Sequence, residues 1–129
     1  MDKTHTQIII DEINSEWVSL AMREADLQKL VLDWFKLQPG YFAFRVYVGP
    51  IVRANGRFSP NPMAGFPDIF GFDPLNQPFS IELKSPKGVV GPKQTKWMID
   101  LEAKGVYCIV SQSLDYIIKE LSHLKNRHK

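Results

Sequence analysis

The sequence has little cysteine, little net charge and no long apolar run, and each of these shortages excludes some classes of protein. Its single cysteine, Cys108, excludes an internal disulfide and is expected to be a buried small hydrophobe in a protein of the reducing cytoplasm. A net charge of +2 does not by itself indicate nucleic acid, so a polyanion would need a local basic patch. No apolar run approaches the length of a membrane span, and the N-terminus, with acids directly after a short apolar patch, makes a poor secretion signal.

What is present suits one soluble domain. The chain has 129 residues, 44% hydrophobic and 23% charged, which predicts a single core. Apolar residues at every third or fourth position predict a first helix within residues 15–37. The later segments are predicted as strands at 41–48, 67–72, 79–84 and 106–110, and as helices at 93–104 and 114–124. This order predicts an α/β fold in which helices flank a mixed sheet.

Residues 49–65 hold three prolines, three glycines and two asparagines, which predicts a loop long enough to suggest a function. The aromatic residues before it are expected in the core rather than as base-stacking platforms; they are Tyr41, Phe42, Phe44 and Tyr47. Scattered cations are candidates for phosphate contacts, although a solvated surface also explains each one; they are Arg45, Arg53, Arg57, Lys87 and Lys93.

The strongest chemical signal is an acid and a lysine two residues apart. Side chains alternate along a strand, so Glu82 and Lys84 share one face of the predicted strand 79–84, whose other face is apolar. Burying such a pair without partners is costly. Asp68 on the preceding strand and a divalent cation would supply partners, and the Leu83 carbonyl is a further candidate ligand because Mg²⁺ and Mn²⁺ prefer oxygen.

Two more polar residues lie on otherwise apolar helix faces. Gln94 falls in the first turn of the helix at 93–104, where backbone N–H groups favour anions. Glu24 shares the helical spacing of Leu27 and Val31, which places it on a core-facing surface. Structural explanations stay open, since Gln94 can cap its helix and Glu24 can mark an exposed helix end. The lysine and acid of the strand can likewise form a surface ion pair worth under about 1 kcal/mol.

Together these residues resemble the VRR-NUC domain, a branch of the PD-(D/E)xK nuclease superfamily. Pro67-Asp68 is similar to the PD of the family motif, and Glu82-Leu83-Lys84 is similar to its ExK. Gln94 is similar to the downstream glutamine of the family. The segment 24–28, which begins with Glu24 and ends with Gln28, is similar to the E-x-x-x-Q start of its first helix. The resemblance runs from about Arg23 to Leu121. It implies an N-terminal arm or helical extension at 1–22, a nuclease domain at 23–124 and a basic tail at 125–129.

The resemblance implies a restriction-endonuclease-like αβββαβ core and a metal-dependent DNA endonuclease. Asp68, Glu82 and the Leu83 carbonyl would hold Mg²⁺ or Mn²⁺, and Lys84 would be the catalytic lysine. Gln94 would orient water or phosphate, and Glu24 would be an accessory acid.

Small stand-alone members of the family, common in phages and bacteria, resemble Holliday junction resolvases. A homodimer acting on branched DNA in a bacterial or phage-infected cell is therefore expected, with no membrane partner, because two sites must cut two strands. The alternatives are a non-catalytic DNA-binding or assembly module with the same fold, and a flap-cutting or restriction-like nuclease.

Overall fold

A computed structural model describes residues 23–85 and 88–127. The predicted arm at 1–22, Lys87 and the last two residues of the tail lie outside these ranges. Along the described chain the elements are α1 Glu24–Lys36, β1 Phe42–Arg45, β2 Ile51–Val52, β3 Phe58–Ser59, β4 Ile69–Phe72, β5 Pro78–Leu83, α2 Pro92–Ala103, β6 Tyr107–Ser111 and α3 Leu114–Asn126.

The main sheet has the strand order β1-β4-β5-β6. The pairs β1–β4 and β4–β5 are antiparallel, while β5 and β6 are parallel because α2 forms the crossover between them. The predicted αβββαβ core, a mixed sheet flanked by helices, is therefore confirmed. Within the described ranges, no helix combines the length and the apolar character that crossing a membrane would require.

The core lies between the sheet and the helices α1 and α3. Alternation along β5 points Phe79, Ile81 and Leu83 to this side, where each is at most 1% exposed. Phe35 of α1 stacks on Phe79 with the ring centroids 5.5 Å apart. Full burial of a side chain of this size stabilises the fold by roughly 1.5–3 kcal/mol, so this face of β5 fixes the strand in the centre of the sheet.

Two helix boundaries carry the capping residues that the sequence predicts. Ser113 caps α3, since its Oγ accepts a hydrogen bond from the Tyr116 N–H at 3.2 Å. Gly105 follows α2 with φ +88°, the left-handed conformation that glycine adopts at a helix C′ position.

The long loop carries secondary structure that the sequence did not predict. Within residues 49–65, β2 and β3 pair antiparallel and form a separate two-stranded hairpin. Gly56, at φ +79°, allows the turn between them. The prediction of a loop over residues 49–65 missed this hairpin, because two-residue strands carry too short an alternation to be recognised.

Four aromatic residues in and beside β1 were expected in the core, and only Tyr41 packs against the core cluster. Phe42, Phe44 and Tyr47 are 64%, 42% and 56% exposed. β1 is an edge strand, and its pleat turns Phe42 and Phe44 to the sheet face opposite Ala43, which packs on the core. In the described chain α2 covers that face near β6, at the other edge of the sheet.

A buried carboxylate holds the turn between β4 and β5. Asp73 is 1% exposed, and its Oδ1 accepts the backbone N–H groups of Leu75 and Gln77 at 2.9 and 2.8 Å. Its Oδ2 accepts Gln77 Nε2 at 2.8 Å, and that amide also donates to the Leu124 carbonyl at 3.1 Å. The network therefore ties the β4–β5 turn to α3.

Replacement of Asp73 by alanine is expected to lower the free energy of unfolding by roughly 2–4 kcal/mol, because several buried donors lose a charged acceptor. Urea unfolding followed by circular dichroism measures the change. Asp100→Ala, which removes an exposed carboxylate of α2, is the matched control and should shift the value by less than about 0.5 kcal/mol. Equal losses in the two variants would contradict the assignment.

Candidate active site

Strand register brings the two predicted acids together. Ile69 of β4 pairs with Ile81 of β5, so one residue further along the ladder Asp68 lies opposite Glu82. The Leu83 N–H donates to Asp68 Oδ2 at 2.8 Å and fixes that carboxylate at the end of β5. Asp68 is half-buried and Glu82 is 3% exposed, so the pair lies inside the protein on the sheet face that carries α2.

An ammonium and an amide complete the cluster. Lys84 Nζ lies 3.4 Å from Glu82 Oε1, and the lysine side chain is only 11% exposed. Gln94 Nε2 donates to the same Glu82 oxygen at 2.7 Å, while Gln94 Oε1 accepts Lys84 Nζ and the Gly91 N–H, each at 2.9 Å. A flipped amide would point its NH₂ at two donors, so the network fixes this orientation. Gln94 therefore caps α2 and also orients the lysine and the acid.

Glu24 lies at the rim of the cluster. It is exposed in the first turn of α1 rather than on a core-facing surface, because the apolar stripe of the helix turns inward only from Leu27 onward in the described chain. Glu24 Oε1 accepts the Ser85 N–H at 3.2 Å, just beyond β5. Its charge is close enough to raise the pKa of both Asp68 and Glu82.

Electrostatics in the cluster disfavour two ionised acids. Burial raises the pKa of Glu82 to about 7, and the neighbouring Asp68 charge adds to the rise while Lys84 opposes it. Burial also raises the pKa of Asp68, against the effect of the Leu83 N–H. Added positive charge between the two carboxylates would therefore favour their ionised forms.

One atom indicates where such a charge fits. Glu82 Oε2 is buried and accepts no hydrogen bond from the described residues, which is costly for a carboxylate oxygen. No group of three or more His, Cys, Asp or Glu side chains converges on one point in the described ranges. Two carboxylates suit Mg²⁺, which commonly binds one or two carboxylates and keeps several waters. The Leu83 carbonyl stays a predicted ligand.

The predicted phosphate contacts lie in three places. Arg45 is exposed at the end of β1, with its guanidinium carbon 5.9 Å from the centre of the Tyr47 ring. Arg53 and Arg57 are exposed on the β2–β3 hairpin, and Lys93 is exposed in the first turn of α2. Lys87 lies outside the described residues.

Beside Lys93 the surface forms a cavity of about 390 Å³ between α2 and the loop before Asp68. The Trp97 indole N–H closes one side by donating to the Ala64 carbonyl at 3.1 Å. Sequence reasoning missed this cavity because its walls come from segments about thirty residues apart.

Gly65 is a site residue that the sequence did not single out, although it opens the stretch with the PD pair. Its φ is +87°, and a Cβ there would lie 2.7 Å from Lys93 Cβ and 2.8 Å from the Lys93 carbonyl carbon. The bare backbone at Gly65 therefore lets the loop touch the first turn of α2, the turn that holds Gln94.

Because the pKa of Glu82 rises from 4.5 to about 7 on folding, the metal-free protein should lose stability as pH rises through this range. Glu82→Gln carries no charge at any pH. It should match the wild type below pH ~4 and exceed its free energy of unfolding by roughly 1–3 kcal/mol at pH ~8, since one pKa unit is about 1.4 kcal/mol. Urea unfolding in EDTA from pH 4 to 8 measures the gap, with Glu102→Gln on exposed α2 surface as control. A gap that does not grow with pH would contradict the account.

Gly65→Ala is expected to destabilise the fold by about 2–4 kcal/mol, because the new methyl group meets backbone as well as an unfavourable φ. Gly56→Ala is the matched control: its φ is +79° but nothing lies within 4 Å of the added Cβ, so the cost should stay near 1 kcal/mol. Chemical denaturation of both variants tests the difference, and equal costs would mean that the contact with α2 is unimportant.

Comparison with known proteins identifies the family. A family model described as the VRR-NUC domain matches residues 22–114, which include the site residues from Glu24 to Gln94 and more than half of the chain. None of the curated proteins or solved structures compared with the chain gave a match. The chain therefore belongs to the VRR-NUC domain family, and its function is of the nuclease type with DNA as the substrate.

Proposed function

We propose that the protein is a Mg²⁺- or Mn²⁺-dependent endonuclease that hydrolyses DNA phosphodiester bonds and resolves four-way junctions as a homodimer. The observation that carries the proposal is the buried cluster in which Asp68 and Glu82 face each other beside an ammonium group. Glu82 Oε2 within it has no partner among the described residues. Such a cluster weakens the fold unless a cation and an anionic substrate complete it.

In the proposed mechanism Asp68 and Glu82 hold the cation, with the Leu83 carbonyl as a further ligand. The cation, when bound, supplies positive charge that stabilises the phosphate transition state and acidifies a nearby water molecule. Lys84 contributes a second positive charge, directed at the oxygens on which negative charge develops.

Gln94 acts as a positioning residue in this scheme. Its bonds to Glu82 Oε1 and Lys84 Nζ, at 2.7 and 2.9 Å, keep the acid and the ammonium in fixed orientations before substrate arrives. Preorganised charge of this kind needs no rearrangement when the reaction occurs. Glu24, bonded to the Ser85 N–H, holds the backbone just beyond β5 and is the accessory acid.

The homodimer and the junction substrate are what the resemblance to small stand-alone members of the family implies, and the need to cut two strands supports them. One site cuts one strand, and a two-fold pair of sites presents itself to two strands of like polarity. The exposed Phe42, Phe44 and Phe72 form an apolar sheet face of the kind found at protein interfaces.

The buried, unsatisfied carboxylate oxygen also argues against the non-catalytic DNA-binding module. A binding protein gains nothing from a destabilising acid beneath its surface, and a glutamine at position 82 would serve it better. A flap-cutting or restriction-like nuclease would use the same cluster, so only the choice of DNA separates it from a resolvase.

Asp68→Asn, Glu82→Gln and Lys84→Ala should each lower the cleavage rate by at least about 100-fold, because each removes charge from the reacting centre. DNA affinity should change far less, since exposed cations supply most of it. Cleavage is measured with Mg²⁺ or Mn²⁺ on four-way, flap and linear DNA, with EDTA to remove metal and Asp100→Asn as the control. Cleavage by all three variants at nearly the wild-type rate would contradict the proposal. If the wild type prefers flap or linear DNA over the four-way junction, it is a flap-cutting or restriction-like nuclease instead of a resolvase.

A further inference from the structure

The end of the β2–β3 hairpin, residues 52–58, carries apolar side chains that are exposed to solvent. Val52 and Phe58 are directly opposite each other across the two strands. They are 61% and 71% exposed, although such a cross-strand pair normally packs against a core. We call residues 52–58 the ribbon tip.

The ribbon tip has a defined conformation. The Arg53 N–H donates to the Arg57 carbonyl at 2.8 Å, and the Gly56 N–H donates to the Arg53 carbonyl at 2.9 Å. The Arg57 N–H also reaches Asn55 Oδ1 at 3.0 Å. These bonds hold the turn in place, and the alternation of side chains puts Val52 and Phe58 on one face of the ribbon and Arg53 and Arg57 on the other.

The base of the hairpin is anchored to the rest of the molecule. Asn61 Nδ2 donates to the carbonyls of Tyr47 and Gly49, at 3.1 Å each, and its Oδ1 accepts the Met63 N–H at 2.9 Å. The same loop continues to the Ala64 carbonyl, which Trp97 of α2 binds. Asn61 therefore closes the base of the hairpin, and the loop that follows it contacts α2, the helix that holds Gln94.

The charge of this region selects the kind of partner. The sequence has no Asp or Glu between Asp33 and Asp68, so every ionised side chain of the hairpin is an arginine. In the described chain Arg53 donates to Ser59 Oγ, and neither Arg53 nor Arg57 forms an ion pair. A two-fold contact between two ribbon tips would bring four guanidinium groups together, whereas a polyanion neutralises them.

We propose that the ribbon tip engages DNA at a branch point, with Phe58 stacked on the base face exposed where strands diverge. Arg53 and Arg57, on the other face of the ribbon, contact phosphates of the diverging strands, and Val52 packs beside the ring. The interior of a linear duplex offers no free base face, whereas a branch does, so this contact selects branched DNA. The inference rests on the proposed function and adds the element that chooses its substrate.

The test compares binding of a four-way junction and a linear duplex of equal length, by fluorescence anisotropy in EDTA. Phe58→Ala should weaken junction binding by about 10-fold or more and duplex binding by less than about 2-fold. Phe58→Trp should restore junction binding, because an indole also stacks. Leu37→Ala, which removes an exposed apolar side chain outside the hairpin, should leave both affinities unchanged.

The arginines should behave differently from Phe58. We expect Arg53→Gln and Arg57→Gln to weaken the binding of the junction and of the duplex by the same factor. Each substitution should also reduce the slope of log affinity against log salt concentration by about 1. A 2-aminopurine placed at the branch should change fluorescence with wild type and not with Phe58→Ala.

The proposal would be overturned if Phe58→Ala weakened junction binding and duplex binding equally, or weakened neither. A changed sedimentation coefficient of Phe58→Ala with unchanged DNA affinity would also overturn it, since the tip would then bind a second copy of the chain. Urea unfolding checks that the variant keeps its fold. If wild type cleaves no DNA with Mg²⁺ while Phe58→Ala still loses junction affinity selectively, the endonuclease assignment fails and the branch contact stands.

Discussion

The burial of the Glu82 carboxylate opposite Asp68 is the constraint that the rest of the site depends on. β4 and β5 bring the two acids together through their register, because Ile69 pairs with Ile81 and the next pair along the ladder is the acidic one. Two negative charges on neighbouring carboxylates repel each other. Lys84 places a positive charge beside Glu82, and Gln94 donates a hydrogen bond to it. The close approach of α2 to the loop at Gly65 positions the helix turn that holds Gln94.

The two buried acids at opposite ends of the β4–β5 pair show how stability and function separate in this fold. Asp73 receives three N–H donors and ties the turn to α3. Glu82 is about as deeply buried, yet one of its oxygens accepts nothing from the described residues and its pKa is raised to about 7. A satisfied buried carboxylate contributes to the fold, whereas a buried acid with an unsatisfied oxygen and a raised pKa is a candidate functional group.

The segment before the PD pair connects the acidic cluster with the β2–β3 hairpin. Asn61 fixes the hairpin base, Gly65 touches the first turn of α2, and Trp97 binds the loop between them. A short piece of backbone thus joins the hairpin to Asp68 and contacts α2 on the way.

The sequence by itself determined the local features, because periodicity, caps and turns depend on neighbours a few residues apart. It indicated the order of elements, the shared face of Glu82 and Lys84, and the caps at Ser113 and Gly105. It also suggested, through the family resemblance, that Asp68 and Gln94 belong with them.

Only the tertiary structure decided the features that arise between distant segments. The outward Phe42 depends on which part of the sheet α2 covers, and the role of Gly65 depends on a helix turn almost thirty residues later. The unsatisfied oxygen of Glu82 and its raised pKa depend on the packing of β4, β5 and α2 together. Such properties come from long-range contacts and from the water that they exclude, and no short stretch of sequence encodes them.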